Sequence, residues 1–256
     1  MTEFRPSRFQ ILPTVIKNLL IINGLVFLAM NVLPKPTVDN MMDTFALHSW
    51  QSPLFKPWQF VTHIFMHEGF DHILGNMFAL WMFGSILENV WGPKRFLTFY
   101  MVCGLGAALC HMLVLHFENL NMLHQLNILS DDAPAQIEAF ISKHANGLVG
   151  SIPISVEGAT AVYQANVNEA TLGASGAVFG CLAAFGYLFP NTYIYLYFFL
   201  PLKAKWFVLL YTLFELTMAV RSSAGDNIAH AAHLGGAVVG LAMVYFWNKK
   251  NKRTLY

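Results

Sequence analysis

Six apolar runs, each close to the roughly 20 residues that a helix needs to cross a bilayer, divide this 256-residue chain and leave it few ways to fold. They are approximately Leu12–Leu33, Phe70–Val90, Phe96–His116, Leu172–Phe189, Ala204–Val220 and Asn227–Trp247. Inside hydrocarbon every main-chain N–H and C=O must find its partner within the segment, so runs of this kind are read as helices. The predicted fold is all-α: a polytopic membrane protein of six transmembrane helices in a single domain over 1–256. Composition supports this, with 11% charged and 56% hydrophobic residues, against about a quarter charged in a soluble domain. A net charge of +1 gives no support for nucleic-acid binding. Cys103, Cys110 and Cys181 all lie in apolar runs, which argues for small buried side chains and against a disulfide framework or metal cluster. The first run is longer than a signal-peptide core and has no clean small-x-small cleavage site, so it is expected to be retained.

The connecting segments differ in kind. Pro34–Gly69 is rich in Trp, Met and Phe but broken by Pro34, Pro36, Pro53 and Pro57, which suits an amphipathic segment lying in the membrane interface. The polar stretch 117–168 contains one helix signal, Ser130 followed by Asp131 and Asp132, with Ser130 as the expected cap. The start of the fifth run is blurred, because Tyr193–Leu200 is also apolar and ends at Pro201.

Basic residues orient the chain. With the N-terminus inside, the inner segments carry Arg5, Arg8, Lys17, Lys94, Arg95, Lys203, Lys205, Lys249, Lys250, Lys252 and Arg253. The outer ones carry only Lys35, Lys56, Lys143 and Arg221. That asymmetry predicts both termini in the cytoplasm and 117–168 outside. Runs two, four and six then all enter from the outer face, and His72, Asn76, Ser175 and His233 lie near their starts. At about 1.5 Å per residue these side chains fall at one depth, one to two turns below the outer surface. Unrelated packing residues have no reason to share a level.

Two of these clusters carry a glycine pattern with two meanings. In Gly173-Ala-Ser175-Gly176, the recurrence of Gly176, Gly180 and Ala184 is the small-residue stripe of closely packed membrane helices. It also places a serine hydroxyl beside main-chain N–H groups that the first turn of a helix leaves unpaired. His233, Gly236 and Gly240 share a helical face, and packing it onto the stripe of run four would bring an imidazole to Ser175. That imidazole could take the hydroxyl proton during attack on a carbonyl, or simply hydrogen-bond between helices. Asp226 lies in the loop before run six and offers no obvious third member, so a Ser–His dyad is favoured. His72 and Asn76, four apart on one face, could direct N–H groups at an oxyanion or bond a neighbouring helix. His63 with His67, and His230 with His233, have spacings that ligate zinc, but His67-Glu-Gly-Phe-Asp71 lacks the second histidine of HExxH, and no metal is expected. Glu215 is an intramembrane carboxylate whose role these patterns leave open.

Taken in order, Phe65-Met-His67-(x4)-His72-(x3)-Asn76, Glu88-(x3)-Gly92, Gly173-Ala-Ser175-Gly176 and Ala232-His233-Leu-Gly-Gly236-(x3)-Gly240 resemble the rhomboid family of intramembrane serine proteases. The resemblance runs from about Trp58 onwards, apart from the loop before run four, and the family's usual aromatic–arginine pair in the first loop has no clear match. It implies a compact six-helix bundle with Ser175 as nucleophile and His233 as general base. It implies His72 and Asn76, with main-chain N–H groups around Gly173 and Ser175, as stabilisers of the oxyanion, and a more structural role for His67. It further implies no cofactor, transmembrane proteins as substrates cut near the outer membrane surface, a preference for a small residue before the scissile bond, and a site in the bacterial inner membrane. The alternative within the same family is a non-catalytic protein that binds membrane clients. Such relatives lack the serine or histidine, and both are present here. A transporter using intramembrane histidines would carry an internal repeat of broken spans, and none is found. The natural substrate and the oligomeric state are not written in these motifs.

Overall fold

A computed structural model describes residues 9–145, 152–196, 200–221 and 227–250. In chain order the elements are α1 (Thr14–Val32), α2 (Lys35–Phe45), α3 (Gln59–Thr62) with a 3-10 turn at His63–Phe65, and α4 (Phe70–Ala79). A π turn at Leu80–Gly84 carries α4 on into α5 (Ser85–Trp91), which is followed by α6 (Pro93–Leu126), α7 (Pro134–His144), α8 (Val156–Val167) and α9 (Ser175–Leu188). Strands β1 (Tyr193–Leu196) and β2 (Leu200–Lys203) then precede α10 (Ala204–Arg221) and α11 (Asn227–Lys250). The molecule is an all-α polytopic membrane protein with one small hairpin. Among the described residues four helices are long and apolar enough to cross a membrane: Thr14–Val32, Phe70–Trp91, Pro93–Leu126 and His230–Lys249.

The ends of these helices explain one of the sequence patterns. Glu88 reaches across to the start of α1, where its two oxygens accept the N–H groups of Val15 and Ile16, each at 2.9 Å. An anion there satisfies two of the donors that a helix start leaves orphaned and complements the helix dipole. Asn89 extends the clasp, accepting from Gln10 N at 2.9 Å and donating to Gln10 O at 2.8 Å. Gly92 turns the chain with φ of 81°, a region where only glycine is unstrained, and Pro93 opens α6. Glu88-(x3)-Gly92 is therefore a structural joint. Arg95, at the start of α6, lies 4.3 Å from the Trp247 ring near the end of α11, so these ends share one face of the molecule.

Helix α9 is short, at 14 residues, and every residue from Gly176 to Gly186 is buried. It sits inside a jacket of other helices, chiefly α6 and α11, so its length need not match the bilayer. The main core gathers Phe83, Leu87, Phe96, Phe99, Tyr100 and Phe185 around α9 and the inner halves of α5 and α6. Helix α10 by contrast exposes Leu209, Leu210, Leu213, Phe214 and Leu216, an apolar face suited to lipid.

Four expectations need correction. The third apolar run does not end near His116: α6 continues to Leu126, and its 34 residues make about 51 Å at 1.5 Å per residue, well beyond a ~30 Å hydrocarbon core. The stretch after it is not a plain polar loop, because α7 and α8 pack on the far end of α6 around Met122, Leu126, Ile137, Phe140, Ala159 and Val162. Nor does Ser130 cap a helix. Its hydroxyl accepts Asp132 N in a turn, and α7 starts at Pro134 without a side-chain cap. The capping serine is Ser155, accepting Gly158 N at 3.1 Å, while Asp131 accepts Val156 N at 2.9 Å at the same helix start. Finally, at the apolar stretch before Pro201, β1 and β2 pair antiparallel, with Tyr193 opposite Lys203 and Leu196 opposite Leu200. Of these residues Ile194 is buried and joins the main core, while Tyr193, Tyr195 and Leu200 are exposed.

Candidate active site

The α9–α11 junction is a contact of backbone on backbone. A Cβ on Gly236 would overlap the carbonyl oxygen of Gly176, and one on Gly240 would lie 2.8 Å from Gly180 Cα. A Cβ on Gly176 would in turn collide with Ala107 of α6. The two stripes predicted from sequence therefore meet as expected, and the residues just before them, Ser175 and His233, are brought to one end of the junction.

Ser175 is the first residue of α9. The loop leading to it is fixed from three sides: Thr171 and Leu47 exchange backbone hydrogen bonds of 2.8 Å, Gly173 N donates to His63 O at 3.0 Å, and His111 Nε2 lies 2.7 Å from Thr171 Oγ1. Gly173 has φ of +128°, and a Cβ there would lie 2.8 Å from both Cε1 and Nε2 of His72 and 3.8 Å from Ser175 Oγ. Glycine is thus demanded twice, by the backbone angle and by the imidazole lying over it. In α9 the Val178 N–H is donated to Ala174 O, which leaves the N–H groups of Ser175 and Gly176 without a helical partner.

His233 is held on two sides. Its ring stacks on Phe179, with centroids 4.2 Å apart and planes within 6°. Phe179 is one helical turn below Ser175, so this contact sets the imidazole against the serine's own helix face. On the other side His233 Nδ1 lies 3.0 Å from Glu215 Oε2, and His230 Nδ1 lies 2.6 Å from the same oxygen. Among the described residues no direct hydrogen bond joins Ser175 to His233. Such bonds are often long before substrate binds.

Ser175, His233, His72, Asn76 and Gly173 all line one cavity of about 1220 Å³. It runs between α4 and α10, with Trp81, Met82, Phe207 and Tyr211 on its apolar walls. These few polar groups line a largely apolar slot, an arrangement that can orient a peptide bond within a hydrophobic segment. Asn76 is buried and donates Nδ2 to His72 O at 3.1 Å within its own helix, a bond that uses one of its two amide hydrogens. His67 is fully buried and sits outside the cavity lining, edge-on to His72 at 5.0 Å between centroids, with neither ring nitrogen hydrogen-bonded among the described residues.

Three residues that sequence reasoning missed or left open belong to this picture. Phe179 had no signal beyond its place one turn after Ser175. Glu215 and His230 were visible, Glu215 as a carboxylate in an apolar run and His230 three residues from His233, but nothing in either pattern tied α10 to α11. Asp226, considered above as a third member, lies outside the described residues. The ligating atoms of Glu215, His230 and His233 lie within 4.8 Å of one another, a spacing open to a cation, and the two hydrogen bonds account for it without one.

Comparison with known proteins places the chain. The family model described as the Rhomboid domain matches residues 54–125 and 140–250. The chain is 29% identical over 183 residues to the mitochondrial rhomboid protein 1 of Saccharomyces cerevisiae, covering 72% of this chain and 39% of that protein. It is 27% identical over 264 residues to an uncharacterized mitochondrial rhomboid protein of Schizosaccharomyces pombe, covering 95% of this chain and 66% of that one. A shorter match, 35% identical over 52 residues, is to a Bacillus subtilis protein named as a rhomboid protease, covering 20% of this chain and 10% of that one. The chain spans less than two thirds of the length of each of these relatives.

Proposed function

The chain belongs to the rhomboid family, and on that premise we propose that it is an intramembrane serine endopeptidase acting on transmembrane proteins. The observation that carries this reading is the single cavity shared by Ser175, His233, His72, Asn76 and Gly173, residues drawn from three separated stretches of sequence. In the proposed reaction Ser175 Oγ attacks the carbonyl carbon of a peptide bond in an unwound part of the substrate, while His233 Nε2 takes the hydroxyl proton. The oxyanion is met by the Ser175 N–H, by His72, whose ring overlies Gly173, and by the second amide hydrogen of Asn76. As the tetrahedral centre collapses, His233 returns its proton to the leaving amine, and a water then hydrolyses the acyl-serine by the same steps. Water enters from the outer side, and the apolar walls between α4 and α10 receive the substrate helix. The wider reading is one domain with six spans, α9 and α10 being the two beyond the four long helices, set in the inner membrane with both termini cytoplasmic.

Ser175→Ala and His233→Ala are each expected to abolish cleavage of a transmembrane reporter in reconstituted vesicles while leaving a folded, inserted protein. The double variant should be no worse than either single one, because a nucleophile and its base act as a unit. Labelling of wild type, but not Ser175→Ala, by a fluorophosphonate is the direct check. Substantial cleavage by purified Ser175→Ala would sink the assignment.

A further inference from the structure

A carboxylate in an apolar helix is costly unless it is paired, and Glu215 is 3% exposed on a helix whose neighbouring residues face outward. Its partners are both on α11. Oε2 accepts from Nδ1 of His230 at 2.6 Å and from Nδ1 of His233 at 3.0 Å. An ionised carboxylate oxygen can only accept, so each Nδ1 carries a hydrogen. A neutral His233 then has its lone pair on Nε2, the nitrogen that a base for Ser175 needs. Glu215 is absent from the lining of the cavity that His233 enters: it stands behind the imidazole, with Phe179 against one ring face. His230, three residues before His233 and so on the same face of α11, occupies the second lone pair of Oε2 and aims the carboxylate at that helix.

We infer that Glu215 is the positioning acid of the site: its carboxylate fixes the tautomer and ring orientation of His233, converting the Ser175–His233 dyad into a three-residue relay clasped by His230. The inference rests on the protease reading and deepens it. When the Ser175 proton arrives on Nε2, the imidazolium carries hydrogens on both nitrogens, and the carboxylate stabilises the charge through Nδ1–H without taking the proton. Glu215 touches neither substrate nor nucleophile, so it acts wholly through His233.

The test uses the full-length protein in vesicles, with turnover expressed per folded molecule. Glu215→Gln keeps the shape but removes the charge and can present an N–H to Nδ1, favouring the wrong tautomer. It should lower kcat by about 10²–10⁴ and leave KM within about threefold. Fluorophosphonate labelling of Ser175 should slow in parallel, and Glu215→Asp should recover part of both rates. A role confined to clasping α10 to α11 predicts instead a lower melting temperature with wild-type kcat per folded molecule, and that result overturns the inference. Should Glu215→Gln fail to fold, ¹⁵N-histidine spectra of the wild type decide, with His233 assigned by its loss in His233→Ala: hydrogen on Nδ1 supports the relay, and hydrogen on Nε2 refutes it. Cleavage surviving in Ser175→Ala overturns this inference and the protease reading together. Wild-type kcat in Glu215→Gln beside an inactive Ser175→Ala overturns this inference alone.

Discussion

The α9–α11 junction and the helical cap formed by α7, α8 and the end of α6 are both helix-on-helix structures, yet they are held by opposite means. Where α9 meets α11 the contacts are glycine on glycine, with Gly236 against the Gly176 carbonyl and Gly240 against Gly180. The cap is filled by large side chains, among them Met122, Leu126, Ile137 and Phe140. The solvent explains the difference. Lipid is as apolar as leucine, so burying a large side chain between spans gains little, and helices hold each other through close backbone approach. In water the same leucine gains about 25 cal/mol for each Å² removed from solvent, and bulk is what stabilises. Polar groups serve both regions: in the cap Asp131, Ser155 and Asn166 tie helix ends and turns. In the bundle Glu88 does the same at α1, while Ser175, His233, His72 and Asn76 line one cavity.

The sharpest way to break this comparison is to add bulk to one region and remove it from the other. Gly236→Val places a branched side chain where the Gly176 carbonyl lies, and no rotamer avoids backbone. The expected result is loss of the folded bundle, read as aggregation on size exclusion and absence of Ser175 labelling. Phe140→Ala should cost about 3–5 kcal/mol within the cap, raising hydrogen exchange over 122–167, while the bundle stays folded and Ser175 labelling survives. Equal collapse in both variants would mean that one packing rule serves the whole molecule.

Polar substitutions sharpen the same contrast. Asn76→Ala removes an amide that, among the described residues, bonds only its own helix in the resting structure, so its melting temperature should hardly move. If its second hydrogen meets the oxyanion, kcat should fall by somewhat less than the about 10²–10³ that a lost donor costs, because the Ser175 N–H and His72 remain. Ser155→Ala should do the reverse, weakening α8 by about 1 kcal/mol with kcat unchanged. Measuring thermal stability and turnover together on both separates them. An Asn76→Ala protein that melts early but turns over normally per folded molecule would return the residue to a packing role.

This division also explains what the sequence could reveal. The long apolar helices, and the gathering of Ser175, His233, His72 and Asn76 on one cavity, were legible because hydrophobic length and small-residue spacing are local signals. The meeting of the α9 and α11 stripes followed from the same spacing. The cap was not legible as structure. Its helices are short and mixed in polarity, α7 lacks a side-chain cap, and its core needs Met122 and Leu126 from the far end of α6. Glu215 was visible as an anomaly, but its partners lie on another helix, and no local pattern joins residues 15 and 18 positions apart.

The smallest expected effect concerns His144, and it should appear in the cap alone. This histidine is 4% exposed, packs on Phe140 with centroids 4.8 Å apart, and has Nε2 at 3.4 Å from Gln125 Oε1. Its Nδ1 is buried without a partner among the described residues, so a second proton would sit on an atom with no acceptor there. Burial, and after it the neighbouring Lys143, hold the imidazole below its ordinary value of 6.5. The unfolded chain then binds the proton more readily than the folded one. Stability from this group is therefore full above about pH 6.5 and is lost as pH falls towards the depressed folded value. The loss cannot exceed about 1.4 kcal/mol for each pH unit. Hydrogen exchange at pH 7.5 and 5.5, corrected for intrinsic rates, should show the 122–167 segment loosening on acidification while Gly176–Gly186 does not change. His144→Leu should remove the pH dependence, since it keeps the bulk against Phe140 and deletes the titrating group. A cap that loosens equally in His144→Leu would place the acid sensitivity elsewhere, and uniform loosening of cap and bundle would show that the two regions unfold as one.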